Sequence, residues 1–254
     1  MKNLLNIILI VFLSITAQAV NLPNYSYSQV YVYDNQNSLL DSDKSQGSDQ
    51  PIISDPFYII NKNIFNINSL LDRAFLSPMA RIYSKLPSVS RGYVGNFMNN
   101  ISEPINTFNL IFQGEFKEAQ VSFARLITNT LLGCLGIMDV ASSFKLKRSN
   151  EDFGQTMAYR GIPSGPYIVA PLIGPTSARD LTGKVTDFFM DPFRYVFTRK
   201  QYDVIEGLWA VHKRADLNGV IDTINNSLDP YETAKLMYIQ NRNNQINTKN
   251  TNFK

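Results

Sequence analysis

The chain has 254 residues, with 24 Lys and Arg against 21 Asp and Glu, one His, one Cys and a formal net charge of +3. So even a balance excludes nucleic acid as a partner, because binding a phosphate backbone requires concentrated Lys and Arg. Cys134 has no second cysteine to form an intrachain disulfide and His212 no second histidine to form a His-rich zinc site, so the fold has to rest on packing.

At the N-terminus, Lys2 precedes a mostly apolar stretch over residues 4–15 and the sequence Thr16-Ala17-Gln18-Ala19. That order is the pattern of a cleaved secretory signal, residues 1–19, and the stretch falls short of the roughly 20 apolar residues of a bilayer span. Its removal takes away only the charge of Lys2 and lowers the net charge to +2. Residues 20–51 are rich in Ser, Asn, Asp and Gln and poor in aliphatic side chains, the composition of a flexible linker. Tyr25, Tyr27, Tyr31 and Tyr33 alternate there with smaller or polar residues, so one strand or a docking strip is the alternative to a mobile tether.

From Ile60 the pattern becomes helical: Ile60, Ile64, Ile67, Leu71 and Phe75 stack on one face until Pro78 ends or bends the helix. A short segment then places Met79, Ile82, Tyr83 and Leu86 on one side before Pro87, and a third, starting near Ser88, is expected to bury Val89, Tyr93, Phe97 and Ile101. Ser102-Glu103-Pro104 reads as a cap opening a further helix through Ile105, Phe108 and Ile111, terminated by Gly114. The next helix, from Glu115, repeats Phe116, Ala119, Phe123, Ile127 and Thr130 at steps of three and four. Cys134 follows between Leu132-Gly133 and Leu135-Gly136, a setting for a buried structural thiol.

Residues 161–175 break the pattern, since seven of the fifteen are Gly or Pro and seven are apolar. The segment is too apolar for an ordinary solvated loop, so it either packs inside as extended chain or touches something apolar outside. Helices resume at the capping-box-like Ser177-Ala178-Arg179-Asp180, with Leu181, Val185 and Phe188 or Phe189 on one face. Another carries Tyr202, Ile205, Trp209, His212 and Ala215, and a last one starts at Asp229-Pro230 and covers Tyr231 to about Tyr238. Residues 243–254 read as a disordered tail. No set of alternating strands is expected.

Catalytic signatures are absent. Gly161-Ile162-Pro163-Ser164-Gly165 has the wrong spacing for a nucleophile elbow, and a serine triad would need Ser164 or Ser177 to meet His212 in space. Gly133-Cys134-Leu135-Gly136 lacks the glycine count of a dinucleotide loop. Glu151-Asp152 are adjacent and diverge on a helix, so they read as the acidic start of one, and Arg179-Asp180 read equally as a buried pair or as first-turn residues. Neither a metal nor a cofactor is expected, and His212 is assigned a surface or packing role.

Read in order, the motifs resemble the MlaA (VacJ) family of Gram-negative outer-membrane proteins. The matches begin with Asp55-Pro56-Phe57, Asn61-Lys62, Ile64-Phe65-Asn66-Ile67-Asn68, Leu71-Asp72, Pro87, Arg91-Gly92 and Asn96-Phe97. They continue through Glu103-Pro104, Asn109, Gln113-Gly114, Arg125, Asn129-Thr130, Gly133 and Gly136-Ile137-Met138-Asp139-Val140-Ala141. Asp152-Phe153-Gly154-Gln155-Thr156, Gly161, Gly165-Pro166-Tyr167, Pro171, Gly174-Pro175, Arg179-Asp180, Asp229-Pro230-Tyr231 and residues 238–242 complete the series.

The resemblance covers roughly residues 52–242 and implies a mostly α, single multi-helix, ring-like domain embedded in or associated with a membrane leaflet. It implies no enzyme but a mover of phospholipid, returning lipids misplaced in the outer leaflet of the outer membrane toward a periplasmic lipid-carrier protein, in association with a trimeric porin. Envelope hydrolysis and surface interaction are the alternatives. The candidates for a lipid passage or a flap beside it are Asn129, Asp139, Phe153, Gly154, Gly161, Gly165, Pro166, Tyr167, Arg179 and Asp180, with Gly161 and Gly165 as hinges. One departure is expected to matter: the family carries a lipobox cysteine after the signal, whereas Val20 follows Ala19 here, so membrane attachment at the periplasmic face is expected without an acyl anchor.

Overall fold

A computed structural model describes residues 53–251; the signal and linker readings lie outside them. The architecture is helical, with one small hairpin. Helix α1 (Tyr58–Leu71) passes through a π-helical turn (Asp72–Leu76) into α2 (Ser77–Tyr83), so the bend expected at Pro78 falls at the preceding wide turn and Pro78 sits in the first turn of α2.

Next comes α3 (Ser88–Gln113), one continuous helix of 26 residues with Pro104 inside it, where the sequence led us to expect two. The missing Pro104 N–H is tolerated because α4 (Phe116–Leu131) grips α3 on both sides of it. Asn100 Nδ2 donates to Thr130 Oγ1 at 2.9 Å before the proline, and Thr107 Oγ1 donates to Ser122 Oγ at 3.0 Å after it. Gly114, at φ 86°, ends α3 as expected. Two short helices follow, α5 (Val140–Ser143) and α6 (Phe153–Tyr159), capped by Asp139 and Asp152.

The Gly/Pro-rich stretch corrects the expectation of no strands: β1 (Tyr167–Ala170) and β2 (Gly174–Ser177) pair antiparallel, Tyr167 opposite Ser177 and Ala170 opposite Gly174. Two strands alone would be marginal. Here α1 substitutes for a third. Asn61 donates to the Tyr167 carbonyl at 3.1 Å and accepts from Val169 N at 2.9 Å. Two helical turns on, Asn68 repeats the arrangement with the Ala170 carbonyl and Leu172 N at 3.0 and 2.7 Å. Tyr167 onward is therefore buried extended chain, while Gly161 and Gly165 lie exposed before it.

Ser177 caps α7 (Ala178–Met190), which is followed by α8 (Phe193–Val196), α9 (Arg199–Asp216), α10 (Asn218–Asn225) and α11 (Pro230–Thr251). The last helix begins at Asp229-Pro230 as expected but runs well past Tyr238, so residues 243–251, expected as an unstructured tail, are helical. Aromatic and aliphatic packing centres on Tyr167, Val169 and Tyr231, with Ile53, Ile64, Phe65 and Tyr238 against them. A second group joins α2, α3 and α9 through Tyr83, Val94, Met98, Trp209 and Val211. Tyr231 OH reaches back to Asp55 at 2.5 Å, tying the last helix to the first described residues.

A polar interior as candidate functional site

Helix α3 carries Glu103, Asn106, Asn109 and Gln113 at steps of 3, 3 and 4, and all four are buried. They face polar residues. Glu103 accepts from Ser122 at 2.7 Å and from Arg125 Nε at 3.1 Å. Arg125 also donates to Asp139 at 3.0 Å and to the Leu146 carbonyl, and Asn129 joins by donating to Asp139 at 3.1 Å and accepting from Ala141 N at 2.8 Å. Farther along, Asn109 donates to Asp187 at 2.9 Å and Gln113 to Glu151 at 3.0 Å.

A third cluster closes the far end. Arg242, from α11, donates to both oxygens of Asp152 at 2.6 Å and to Asp180 at 3.0 Å, while Tyr238 OH donates to Asp180 at 2.5 Å. Burial pushes Asp152 and Asp180 upward, but the Arg242 charge outweighs it and holds both below the usual carboxylate range. Asp187 goes the other way: burial and the nearby Asp152 charge raise it to about 7. These carboxylates converge because α6 and α7 cross at two glycines. A Cβ on Gly183 would lie 2.3 Å from Gly154 N, and one on Gly154 would lie 2.5 Å from Arg242.

The outer faces are the reverse. Phe116, Phe123 and Leu131 of α4 are 63%, 54% and 74% exposed, while Ala119, Ser122, Arg125 and Asn129 are its buried residues. Phe108, Ile111 and Phe112 of α3 are exposed as well. So are Ile60, Ile67 and Phe75 of the first segment, Met79 and Ile82 of the second, Val89 and Tyr93 of the third, and Val185 and Phe189 of α7. The expected burial of Val89 and Tyr93 is thus corrected, Phe97 and Ile101 on the same face being half-buried; in the other segments the periodicity is present with many of its large side chains pointing outward. Cys134 is corrected with them, being exposed at φ 52° in the turn after α4, because Gly133 and Gly136 make the close contacts to Asn129 and Asn100 there. Helix α9 keeps the ordinary sense, burying Tyr202, Trp209, His212 and Ala215.

The candidate residues separate into three places. Asn129 and Asp139 belong to the Arg125 cluster, and Gly154, Arg179 and Asp180 to the Arg242 cluster, where Arg179 and Asp180 form a buried 2.9 Å pair in the first turn of α7. Phe153 N donates to Asp187 at 3.0 Å, beside both. Gly161 and Gly165, at φ 80° and 68°, and Pro166 precede the hairpin, whose Tyr167 is fully buried. His212 packs on Trp209 and shares a 2.8 Å hydrogen bond with Tyr83, so its partners are structural and neither Ser164 nor Ser177 is among them.

Reasoning from sequence missed Arg125, Asp187 and Arg242 as site residues, although the polar stripe 103, 106, 109, 113 is a signal visible without a structure. It also missed an apolar cavity of about 280 Å³ between α1, the hairpin turn, α10 and α11, lined chiefly by Leu76, Leu172, Ile173, Ile221, Ile224 and Met237.

A mostly helical domain with buried charged clusters between its helices and many large apolar side chains on its outer faces defines a class of protein suited to contact with an apolar environment. The chain belongs to the MlaA family: residues 53–245 match the family described as MlaA lipoprotein. It is similar to the intermembrane phospholipid transport system lipoprotein MlaA of Haemophilus influenzae, 35% identical over 188 residues, covering 72% of this chain and 74% of that protein. To the protein of the same name from Escherichia coli it is 31% identical over 204 residues, 77% of this chain and 80% of that one. An uncharacterised protein of Rickettsia bellii is 36% identical over 189 residues, 72% and 73% of the two chains. A solved structure reported as "Structural basis for maintenance of bacterial outer membrane lipid asymmetry" superposes with a TM-score of 0.65 at 30% identity, over 76% of this chain and 99% of that one.

Proposed function

We propose that this protein removes phospholipids mislocalised in the outer leaflet of a Gram-negative outer membrane and passes them toward a periplasmic carrier, without covalent chemistry. The inversion of α3 and α4 carries this reading, and the relatives named for phospholipid transport support it. A two-chain lipid needs an apolar route for its tails, since each CH₂ brought into water costs about 0.8 kcal/mol, and a polar lining for its headgroup. Exposed Phe, Leu and Ile on α1 to α4 supply contact with a leaflet at the periplasmic face, and the buried amides and charges brace the helices that would wall a ring-like passage. A trimeric porin and a periplasmic lipid carrier are the proposed protein partners.

The test is deletion of the gene followed by labelling of surface phospholipid and fractionation of the tagged protein. Increased surface phospholipid, restored by the wild-type gene, with the protein in outer-membrane fractions, is the expected result. A wholly soluble protein and unchanged surface lipid would end this reading. Motion is proposed only for residues 161–166, hinged at Gly161 and Gly165, because Asn61 and Asn68 pin the strand that follows. Replacing either glycine with Val should reduce lipid transfer by more than it reduces the folded fraction; equal losses would make the stretch structural.

A further inference from the structure

The apolar cavity beside the hairpin turn is walled by parts that serve neither the polar interior nor the outer faces. Helix α10 carries Val220, Ile221 and Ile224 on one face, yet none of its residues is buried: that face borders the cavity of about 280 Å³. The hairpin turn adds Leu172 and Ile173, and α11 adds Met237. Leu172 stands at φ 73°, a left-handed conformation that crowds the Cβ of any residue but glycine. The π-helical turn, a distortion frequent at functional sites, supplies Leu76 and Arg73.

Two of the lining side chains are charged, Asp72 and Arg73. Asp72 is taken, accepting from Arg214 at 2.6 and 3.0 Å. Arg73 is exposed at the rim and has no ion pair among the described residues. Asn241 of α11 also lines the cavity; its side-chain amide makes no hydrogen bond among the described residues, and its oxygen is closed to solvent. An amide left unmet against an apolar wall is costly, and a ligand hydroxyl, donor and acceptor at once, satisfies either end of it. Size narrows the ligand further. Small-molecule sites run from roughly 300 to 1,000 Å³, so this cavity, at the lower edge, takes one alkyl chain and not the two of a diacyl lipid.

We propose that this cavity binds a lysophospholipid: the single acyl chain lies among Leu76, Leu172, Ile221 and Met237, the phosphate meets Arg73, and the free glycerol hydroxyl meets Asn241. Guanidinium suits phosphate because its fork of donors matches the oxyanion. The three features select together, since a diacyl lipid brings a chain too many, a monoacylglycerol has no charge and a fatty acid has no hydroxyl. The site stands apart from the transport of diacyl phospholipid proposed above and does not depend on it.

The test uses the full chain in nanodiscs of diacyl phosphatidylcholine, which bring no detergent to compete for a single-chain site. The probe is lysophosphatidylglycerol with a diazirine in its acyl chain; irradiation attaches it to whatever the chain touches, and peptide mapping reads where. Labelling is expected on the peptides containing Leu172 and Ile221. Unlabelled myristoyl lysophosphatidylglycerol should displace it at least about tenfold more effectively than dimyristoyl phosphatidylglycerol, monomyristoylglycerol or myristate. Arg73→Gln should weaken the lysophosphatidylglycerol about tenfold and leave monomyristoylglycerol unchanged, Asn241→Leu should weaken it and leave myristate unchanged, and Ile221→Trp, which fills the cavity, should abolish labelling. Labelling that misses both peptides, displacement as effective by dimyristoyl phosphatidylglycerol or by monomyristoylglycerol, or wild-type affinity in an Arg73→Gln protein with a wild-type melt overturns the proposal. Arg73 is exposed, so its variant decides the matter even where the Ile221 variant does not fold.

Discussion

The seam between α3 and α4 and the junction of α1, β1 and α11 are equally closed to solvent, but they are filled with opposite materials. The junction packs Tyr167, Val169 and Tyr231 against Ile64 and Phe65. The seam packs Glu103, Asn106 and Asn109 against Ser122 and Arg125. The junction gains from removing apolar surface from water. The seam does not; a buried charged network holds only while each member keeps its partner. The two regions should therefore respond differently to the same kind of damage.

The largest effect is expected in the seam. Arg125→Met leaves Asp139 without its cation and Glu103 with only the longer 3.5 Å contact of Arg148, and should lower stability by about 3–5 kcal/mol, read from denaturant unfolding in detergent. A loss under about 1 kcal/mol would mean that water already screens the cluster.

At the junction, Asn61→Leu keeps the volume but strips partners from the Tyr167 carbonyl and Val169 N, at about 1–3 kcal/mol for each group left bare. The same unfolding measurement checks it, and amide hydrogen exchange should show β1 opening first.

Acidity sharpens the contrast. Asp187 is raised to about 7 from the ordinary carboxylate value near 4, so the folded state binds its proton more tightly than the unfolded state. Its contribution is complete below about pH 4 and is lost as pH rises to about 7, with a slope of at most about 1.4 kcal/mol per pH unit. Asp187→Asn should flatten stability over that window, which leaves the aromatic junction untouched. An unchanged pH profile would show Asp187 ionised throughout.

The smallest effect on folding belongs to the outer face. Phe123→Gln, at a position 54% exposed, should change stability in detergent by no more than about 0.5 kcal/mol while weakening sedimentation with membranes. A large folding defect would place Phe123 in a contact within the protein.

Helix positions were legible because apolar spacing at 3.6 residues per turn survives whichever way the helix faces. The direction was not. In α4 the series Phe116, Phe123, Ile127 marks a face, and only the identity of the surrounding solvent decides whether that face turns in or out. The companion series Ser122, Arg125, Asn129 was equally regular, but polar periodicity reads by default as a solvated surface. The hairpin was hidden for a different reason. Its edge is completed by Asn61 and Asn68, more than 100 residues upstream, and no local pattern around residues 161–175 reveals such partners. The Arg242 cluster combines α6, α7 and α11 in the same non-local way, so its members carried family likeness without showing that they touch.

The bond between Asp55 and Tyr231 spans 176 residues, and Lys235 adds a second tie to Asp55 at 3.6 Å. A chain is made from its N-terminus onward, so α1 and β1 wait for α11 before their shared core can close. Until that moment the outward apolar faces of α1 to α4 have no finished scaffold behind them. Closing so long a loop is slow relative to forming any one helix. Time, and not only stability, then governs the yield of this protein: whatever shields its nascent greasy surface must act for as long as the last helix takes to arrive.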